Sequence, residues 1–209
     1  MNEAKQVDKS HYGFQRYMSK ARWNSVWHQL DEVIRLKPER VLEIGPGPGL
    51  FKATAGLFGL AVETLDIDPE LKPDHVGSAT ALPFADNSFD VVCAFQMLEH
   101  LPYDVALQAF REMTRVSRGH VIISLPDAKP VWRYVFYLPK IGNFDWLMRR
   151  PFARAEAHRF DGEHHWEINK RGHIVDDVLK DLDRIAPTSR SYRVKEMPYH
   201  RFIISNTKS

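Results

Sequence analysis

The 209-residue chain has one cysteine, Cys93, which excludes an internal disulfide and any cysteine-based zinc cage. It has no apolar run near the ~20 residues that a membrane-spanning helix needs. Its formal net charge is only +2, which gives no global reason to expect nucleic acid as a partner, so any basic surface has to be local. No internal repeat and no low-complexity tract appears. The polar start MNEAKQVDKS lacks the apolar centre of a secretory signal, and the expected compartment is the cytoplasm. With 44% hydrophobic and 27% charged residues, the composition suits a globular domain with a full-sized core.

Strand and helix patterns alternate between residues 41 and 125. A helix is expected over residues 10–36, where Trp23, Trp27, Leu30 and Ile34 recur at helical spacing, and Pro38 ends it. VLEI (41–44) reads as a buried strand and Leu50–Gly59 as a helix. AVETLDI (61–67), DHVGS (74–78), FDVVCAF (89–95) and HVIISL (120–125) read as further strands. A helix over 104–116 carries Leu107, Phe110 and Met113 on one face. This rhythm argues for a parallel sheet covered on both faces. After an irregular stretch, a helix is expected over 172–184, with Ile174, Val178, Leu179 and Leu182 on one side. The strand-like SYRVKEM and HRFIISN follow with no crossover helix between them, so they should pair antiparallel. The expected fold is α/β: a doubly wound, Rossmann-like seven-stranded sheet, mostly parallel with an antiparallel C-terminal hairpin strand. It spans 1–209 as one domain, with an N-terminal helix at 10–36 and an insertion at 127–168 after the fifth strand.

In VLEIGPGPGL (41–50), three glycines alternate with two prolines directly after the first strand. Glycine lets backbone approach a ligand closely, and proline stiffens the same turn. Open parallel sheets bind ligands beyond the carboxyl ends of their strands. Asp66 lies 21 positions after Gly45, near the end of the second strand, where a carboxylate can accept from two ribose hydroxyls. A dinucleotide site would want Gly-x-Gly-x-x-Gly, yet position 50 is leucine. Glu43 would also repel a pyrophosphate and suit a cation. An ammonium- and sulfonium-bearing nucleoside, S-adenosylmethionine, fits that charge arrangement better; a tight strand-to-helix turn with no ligand is the alternative.

VLEIGPGPG (41–49), VETLDIDPEL (62–71), ATALPFADNSFDVV (79–92), MLEHL (97–101) and REMTRVSRGHVIISLP (111–126) occur in this order. Together they resemble the class I S-adenosylmethionine-dependent methyltransferases, in the large group with a Pro-Phe, Asp-Asn-Ser-Phe-Asp and Glu-His series. The resemblance implies that Gly45, Gly47 and Gly49 lie against the methionine part of the cofactor and that Glu43 acts on its amino group. It further implies that Asp66 takes the ribose hydroxyls, Ile67 packs on the adenine face, Ala79 and Thr80 border the adenine edge, and Gln96 flanks the cofactor. Ser78 stands where many relatives carry an acid that accepts from the adenine amino group, which implies weaker anchoring there. RVSRGH replaces the common Lys-Pro-Gly-Gly turn, and FQML stands where base-methylating relatives carry Asn-Pro-Pro-Tyr.

Methyl transfer from a sulfonium mainly needs alignment and exclusion of water, and it needs a base only when the acceptor must lose a proton early. His100 is a near-site candidate by the resemblance. In DGEHHWEINKRG (161–172), His164 or His165 can serve as base with Glu167 orienting it; loop packing is the plainer alternative. No metal is expected, since adjacent histidines point apart in a strand and no His-Glu-x-x-His helix is present. Residues 127–160 hold seven Lys or Arg, three Asp or Glu and eight aromatics. Such a segment suits an amphipathic lid, a membrane-surface helix, or stacking on single-stranded RNA; its aromatics can equally just pack onto the domain. The expected acceptor is a small or lipid-like molecule. A membrane surface or RNA, or a binding module that retains the cofactor, is the alternative.

Overall fold

The structure is a computed structural model and describes residues 13–207. Its main sheet contains β1 (Val41–Ile44), β2 (Val62–Asp66), β3 (His75–Val76), β4 (Phe89–Phe95) and β5 (Ser117–Pro126). β6 (Val131–Leu138) and β7 (Gly142–Arg149) form a separate two-stranded sheet, while β8 (Thr188–Arg193) and β9 (His200–Asn206) complete the first. The strand order is β3-β2-β1-β4-β5-β9-β8. All pairings from β3 to β5 are parallel, and β9 runs against both of its neighbours. The seven-stranded, mostly parallel sheet is the one the sequence leads one to expect.

Strand alternation explains why the central strands are apolar throughout. Successive side chains point to opposite faces, and here both faces are covered. Leu42, Val92, Ala94 and Ile123 pack on one side with Phe110 and Met113 of α4 (Tyr103–Val116) and Val178 and Leu182 of α5 (Val175–Asp183). Val41, Val91, Cys93 and Ile122 pack on the other with Val26, Leu30 and Val33 of α2 (Lys20–Arg35) and Phe51 and Ala55 of α3 (Leu50–Leu57). Cys93 is thus an inert core residue, and burial holds its thiol well above the usual range.

The N-terminal helix departs from expectation. Residues 10–12 lie outside the described residues, and the remainder divides into α1 (Phe14–Tyr17) and α2. Met18 is extended, and the Ser19 hydroxyl caps α2 by accepting from the Arg22 N–H at 3.1 Å. Trp23 and Trp27 are 50% and 58% exposed, so the tryptophan stripe does not face the core. The buried face includes Ser25, Gln29 and Glu32 beside Val26, Leu30 and Val33. Polar residues are tolerated there because β8 and β9 offer partners: Ser25 Oγ bonds His200 Nδ1 at 2.7 Å, and Glu32 accepts from Tyr192 at 2.7 Å and pairs with Arg190.

The insertion, whose form the sequence left open, contains a β-hairpin. Trp132, Tyr134, Phe136 and Leu138 alternate along β6 and stand opposite Met148, Trp146, Phe144 and Gly142 of β7. That period of two is a strand signal. The opposite face is tied down: Arg133 pairs with Asp145 at 3.0 Å and reaches Glu196 at 3.7 Å, and Lys195 donates to the Asp145 carbonyl at 2.5 Å. The last helix starts three residues later than expected, with Ile174 as its extended N-cap and 46% exposed.

Candidate functional site

β1 delivers Glu43 to the sheet edge, and the chain then turns sharply into α3. Gly45, Gly47 and Gly49 have φ of +66°, +53° and +74°, left-handed values that a side chain disfavours. A Cβ on Gly45 would also come within 2.4 Å of Met97 Cγ. The turn needs glycine on both counts.

A pocket opens where this turn meets α2, lined by Tyr17, Arg22, Glu43, Gly45, Gln96 and His200 among others. Glu43 is 3% exposed and its Oε2 has no hydrogen-bond partner among the described residues. Burial pushes its carboxyl up to about 8, against the Lys52 charge and backbone N–H at the start of α3. Arg22 stands over the Tyr17 ring at 4.3 Å. Burial, and then the Arg22 charge, hold His200 down at about 3, so that imidazole is neutral. An acid and a guanidinium therefore line one pocket.

The other predicted cofactor residues fall along the same edge, because β3, β2, β1 and β4 are parallel neighbours and each contributes the turn after its carboxyl end. Asp66 ends β2, with Oδ1 accepting from the Asp68 N–H at 2.8 Å. Burial raises its pKa, partly opposed by that hydrogen bond. Ile67 beside it is 38% exposed. Ala79 and Thr80 follow β3, where the Thr80 N–H donates to Ser78 Oγ at 3.1 Å. Gln96 follows β4 with φ +54°, its N–H donating to the Ser124 carbonyl at 2.9 Å and its amide to Ser124 Oγ at 3.2 Å. A non-glycine residue held in that region is a strain that clusters at functional sites.

Three residues further on, a second polar group forms. Glu99 is fully buried, its carboxylate oxygens have no partner in another described residue, and burial, opposed by its own backbone N–H, pushes its carboxyl up to about 8. The His100 and His164 rings meet edge to face at 5.1 Å. His164 Nδ1 lies 3.1 Å from Glu167 Oε1, which also accepts from Tyr199 at 2.7 Å. Burial alone would lower the His164 pKa, but the Glu167 hydrogen bond and neighbouring acids outweigh it and raise the value. His165 is exposed, with its ring against Phe160 at 4.6 Å, and its backbone N–H donates to the Glu99 carbonyl at 2.8 Å. The structure thus brings His100 and His164 together and leaves the His165 ring outside. The loop is held by Trp166, whose indole donates to the Leu101 carbonyl at 3.1 Å.

Sequence reasoning missed Tyr17, Arg22, His200 and Glu99. Arg22 sits one residue from the tryptophan stripe that pointed to the wrong face, and His200 opens the last strand-like run of the chain, far from every motif. Glu99 had a visible signal, standing in MLEHL beside the histidine that was considered.

Residues 42–123 match a family described as "Methyltransferase domain". An uncharacterized methyltransferase of Mycobacteroides abscessus is 30% identical over 163 residues, 71% of this chain and 57% of that protein. A methyltransferase of Mycobacterium sp. (strain JLS) is 32% identical over 129 residues, 56% of this chain and 47% of the other. The chain spans about half the length of the curated relatives it matches. Among solved structures, the PH0226 protein from Pyrococcus horikoshii OT3 superposes with a TM-score of 0.64 at 17% identity, covering 94% of this chain and 93% of that one. The glycopeptide N-methyltransferase MtfA, complexed with S-adenosyl-L-homocysteine, gives 0.60 at 14% identity, covering 91% and 90%. These two likenesses show the fold.

Proposed function

We propose a function from one premise: the chain belongs to the class I S-adenosylmethionine-dependent methyltransferases, and S-adenosylmethionine is its cofactor. Our reading is that it transfers the methyl group to a small-molecule or lipid-like acceptor. The observation that carries the cofactor assignment to particular residues is Glu43, a buried acid with an oxygen unpartnered among the described residues, in a pocket that Arg22 also lines. An α-amino acid end carries one ammonium and one carboxylate, and this pocket offers the complement of each. Glu43 holds the ammonium, Arg22 the carboxylate, and the backbone of Gly45, Gly47 and Gly49 passes the methionine chain. Asp66 accepts from the ribose hydroxyls, Ile67 covers the adenine face, Ala79 and Thr80 border its edge, and Gln96 flanks the reacting end.

The bound cofactor supplies a methyl group on a positively charged sulfur, activated for in-line displacement. The protein's own part is to orient the acceptor and exclude water. His164, oriented by Glu167 and with a raised pKa, is the group in this reading that takes a proton from a hydroxyl or ammonium acceptor. Two structural neighbours act on small molecules by their titles, 1,6-didemethyltoxoflavin at N1 and magnesium protoporphyrin IX, and the acceptor class proposed for this chain is in keeping with them. Incubating the full chain with methyl-labelled cofactor and fractionated extract tests the proposal. Label in a metabolite or lipid pool is expected. Label confined to RNA or protein contradicts it.

The exposed aromatic face of the hairpin favours a second reading, in which β6 and β7 rest on an apolar or membrane surface. Trp132, Tyr134, Phe136 and Trp146 are each about two-fifths exposed, and Arg149 and Arg150 lie at the hairpin's base. Anionic vesicle binding that falls in the Arg149→Glu/Arg150→Glu variant supports it, and unchanged binding excludes the basic base as the contact.

A further inference from the structure

We infer that a basic cleft beside His164 binds a phosphate group, and that this group belongs to the methyl acceptor. The second half rests on the methyl-transfer reading above; the binding site itself does not. The cleft has a volume of about 610 Å³ and is lined by Arg154, His158, Arg159, Glu167, Lys170 and Arg171 among others. Two stretches of the chain beyond the hairpin run side by side to form it. The Arg171 N–H donates to the Glu156 carbonyl at 2.8 Å, and Ala157 bridges Arg171 in parallel. That pairing is why arginines far apart in sequence share one hollow.

The acids of the cleft are already engaged. Glu156 pairs with Lys170 at 3.4 Å. Asp161 Oδ1 accepts from the backbone N–H groups of Glu163 and His164 at 2.9 and 2.7 Å. Glu167 Oε1 is held by His164 and by the Tyr199 hydroxyl. The guanidinium groups of Arg154, Arg159 and Arg171, by contrast, form no ion pair with a described residue. Three such cations around one hollow repel each other, and an anion between them relieves that repulsion. Guanidinium presents paired, planar N–H donors that match the oxygens of phosphate. A phosphate monoester, a dianion with three terminal oxygens, can use all three groups, whereas a carboxylate has one charge and two oxygens.

The position of the cleft ties it to methyl transfer. Glu167 lines it and also holds His164 Nδ1 at 3.1 Å. His158 Nε2 donates to the His164 carbonyl at 2.8 Å, so the arginine-bearing segment is fastened to the same residue. Tyr199 bonds Glu167 at 2.7 Å, and its neighbour in the chain, His200, lines the cofactor pocket. A phosphate seated in the cleft therefore anchors an acceptor beside His164 without using the donors of the cofactor pocket. Binding energy from such a remote group serves to align the reacting atom. Phosphorylated metabolites and phospholipid headgroups both carry this group.

The test is an NMR titration of the isotope-labelled full chain with inorganic phosphate at constant ionic strength, following the arginine Nε–H signals. Saturable shifts at Arg154, Arg159 and Arg171 are expected. Arg159→Gln and Arg171→Gln should each weaken binding about 3- to 10-fold. Arg111→Gln, which removes an exposed charge on α4, should leave it unchanged. Acetate should bind more weakly than phosphate. Absence of saturation, an equal loss in Arg111→Gln, or tighter binding of acetate overturns the inference. S-adenosylhomocysteine should bind all these proteins equally. Its failure to bind wild type refutes the methyl-transfer reading, and the acceptor half with it, while the phosphate titration still decides the site. The methyl-labelled product from extract should carry phosphate, in the aqueous phase for a metabolite and in the organic phase for a phospholipid. A labelled product without phosphate overturns the acceptor half.

Discussion

The sheet edge and the hairpin are built from similar residues to opposite ends. In β4, every residue except Asp90 is buried, and the strand is sandwiched between two apolar layers. In β6, a more aromatic run is exposed at every residue after Val131. The difference lies in what the neighbouring chain supplies. β4 has α4 on one side and α2 with α3 on the other, whereas β6 is paired with β7 and held by the ion pairs of Arg133. An isolated two-stranded ribbon gains little by itself. Stability should therefore reside in the sheet, and the hairpin should be nearly dispensable for folding.

The largest break in that comparison should come from Phe110→Ala. Phe110 is fully buried against β4 and β5, and its loss should cost about 3–5 kcal/mol, read as a lower denaturation midpoint. Gly45→Ala should come next, at about 1–3 kcal/mol, because it forces a left-handed backbone and a contact with Met97. Binding of the demethylated cofactor should fall with it. Smallest should be Phe136→Ser in the hairpin, within about 1 kcal/mol of wild type. Phe136 stacks on Phe144 at 5.2 Å, yet both belong to the same ribbon. A shift as large as that of Phe110→Ala would show that the hairpin is part of the core.

The same contrast explains what could be read from the sequence. Strands covered on both faces announce themselves as continuous apolar runs, and FDVVCAF and HRFIISN fall on β4 and β9 residue for residue. The glycine turn, Asp66 and Gln96 were legible because the parallel order of strands fixes where their turns go. The face of α2 was not legible. Its buried Ser25 and Glu32 depend on partners on β8 and β9 more than 150 positions away, and local spacing carries no trace of these. The form of the insertion stayed open between a lid, a membrane-surface helix and simple packing, although the alternation of Trp132, Tyr134 and Phe136 is a strand signal. Glu99 escaped because burial, which gives the residue its interest, is not a property of sequence.

Glu43 joins these strands of reasoning. In the empty protein its folded value, about 8, exceeds the ordinary 4.5, so between those pH values the folded chain keeps a proton that the unfolded chain has lost. Its contribution to stability therefore declines as pH rises through that window. A bound ammonium favours the carboxylate, so cofactor binding should expel the proton, and affinity should climb as pH rises from 6 to 8, by up to about tenfold per unit. Calorimetric titration of S-adenosylhomocysteine into wild type and Glu43→Gln at both pH values is the most direct test. The expected result is proton release and pH-dependent binding in wild type, with weaker, pH-independent binding in the variant. Equal affinities in the two proteins, with no proton released, would contradict the assignment of Glu43 to the cofactor.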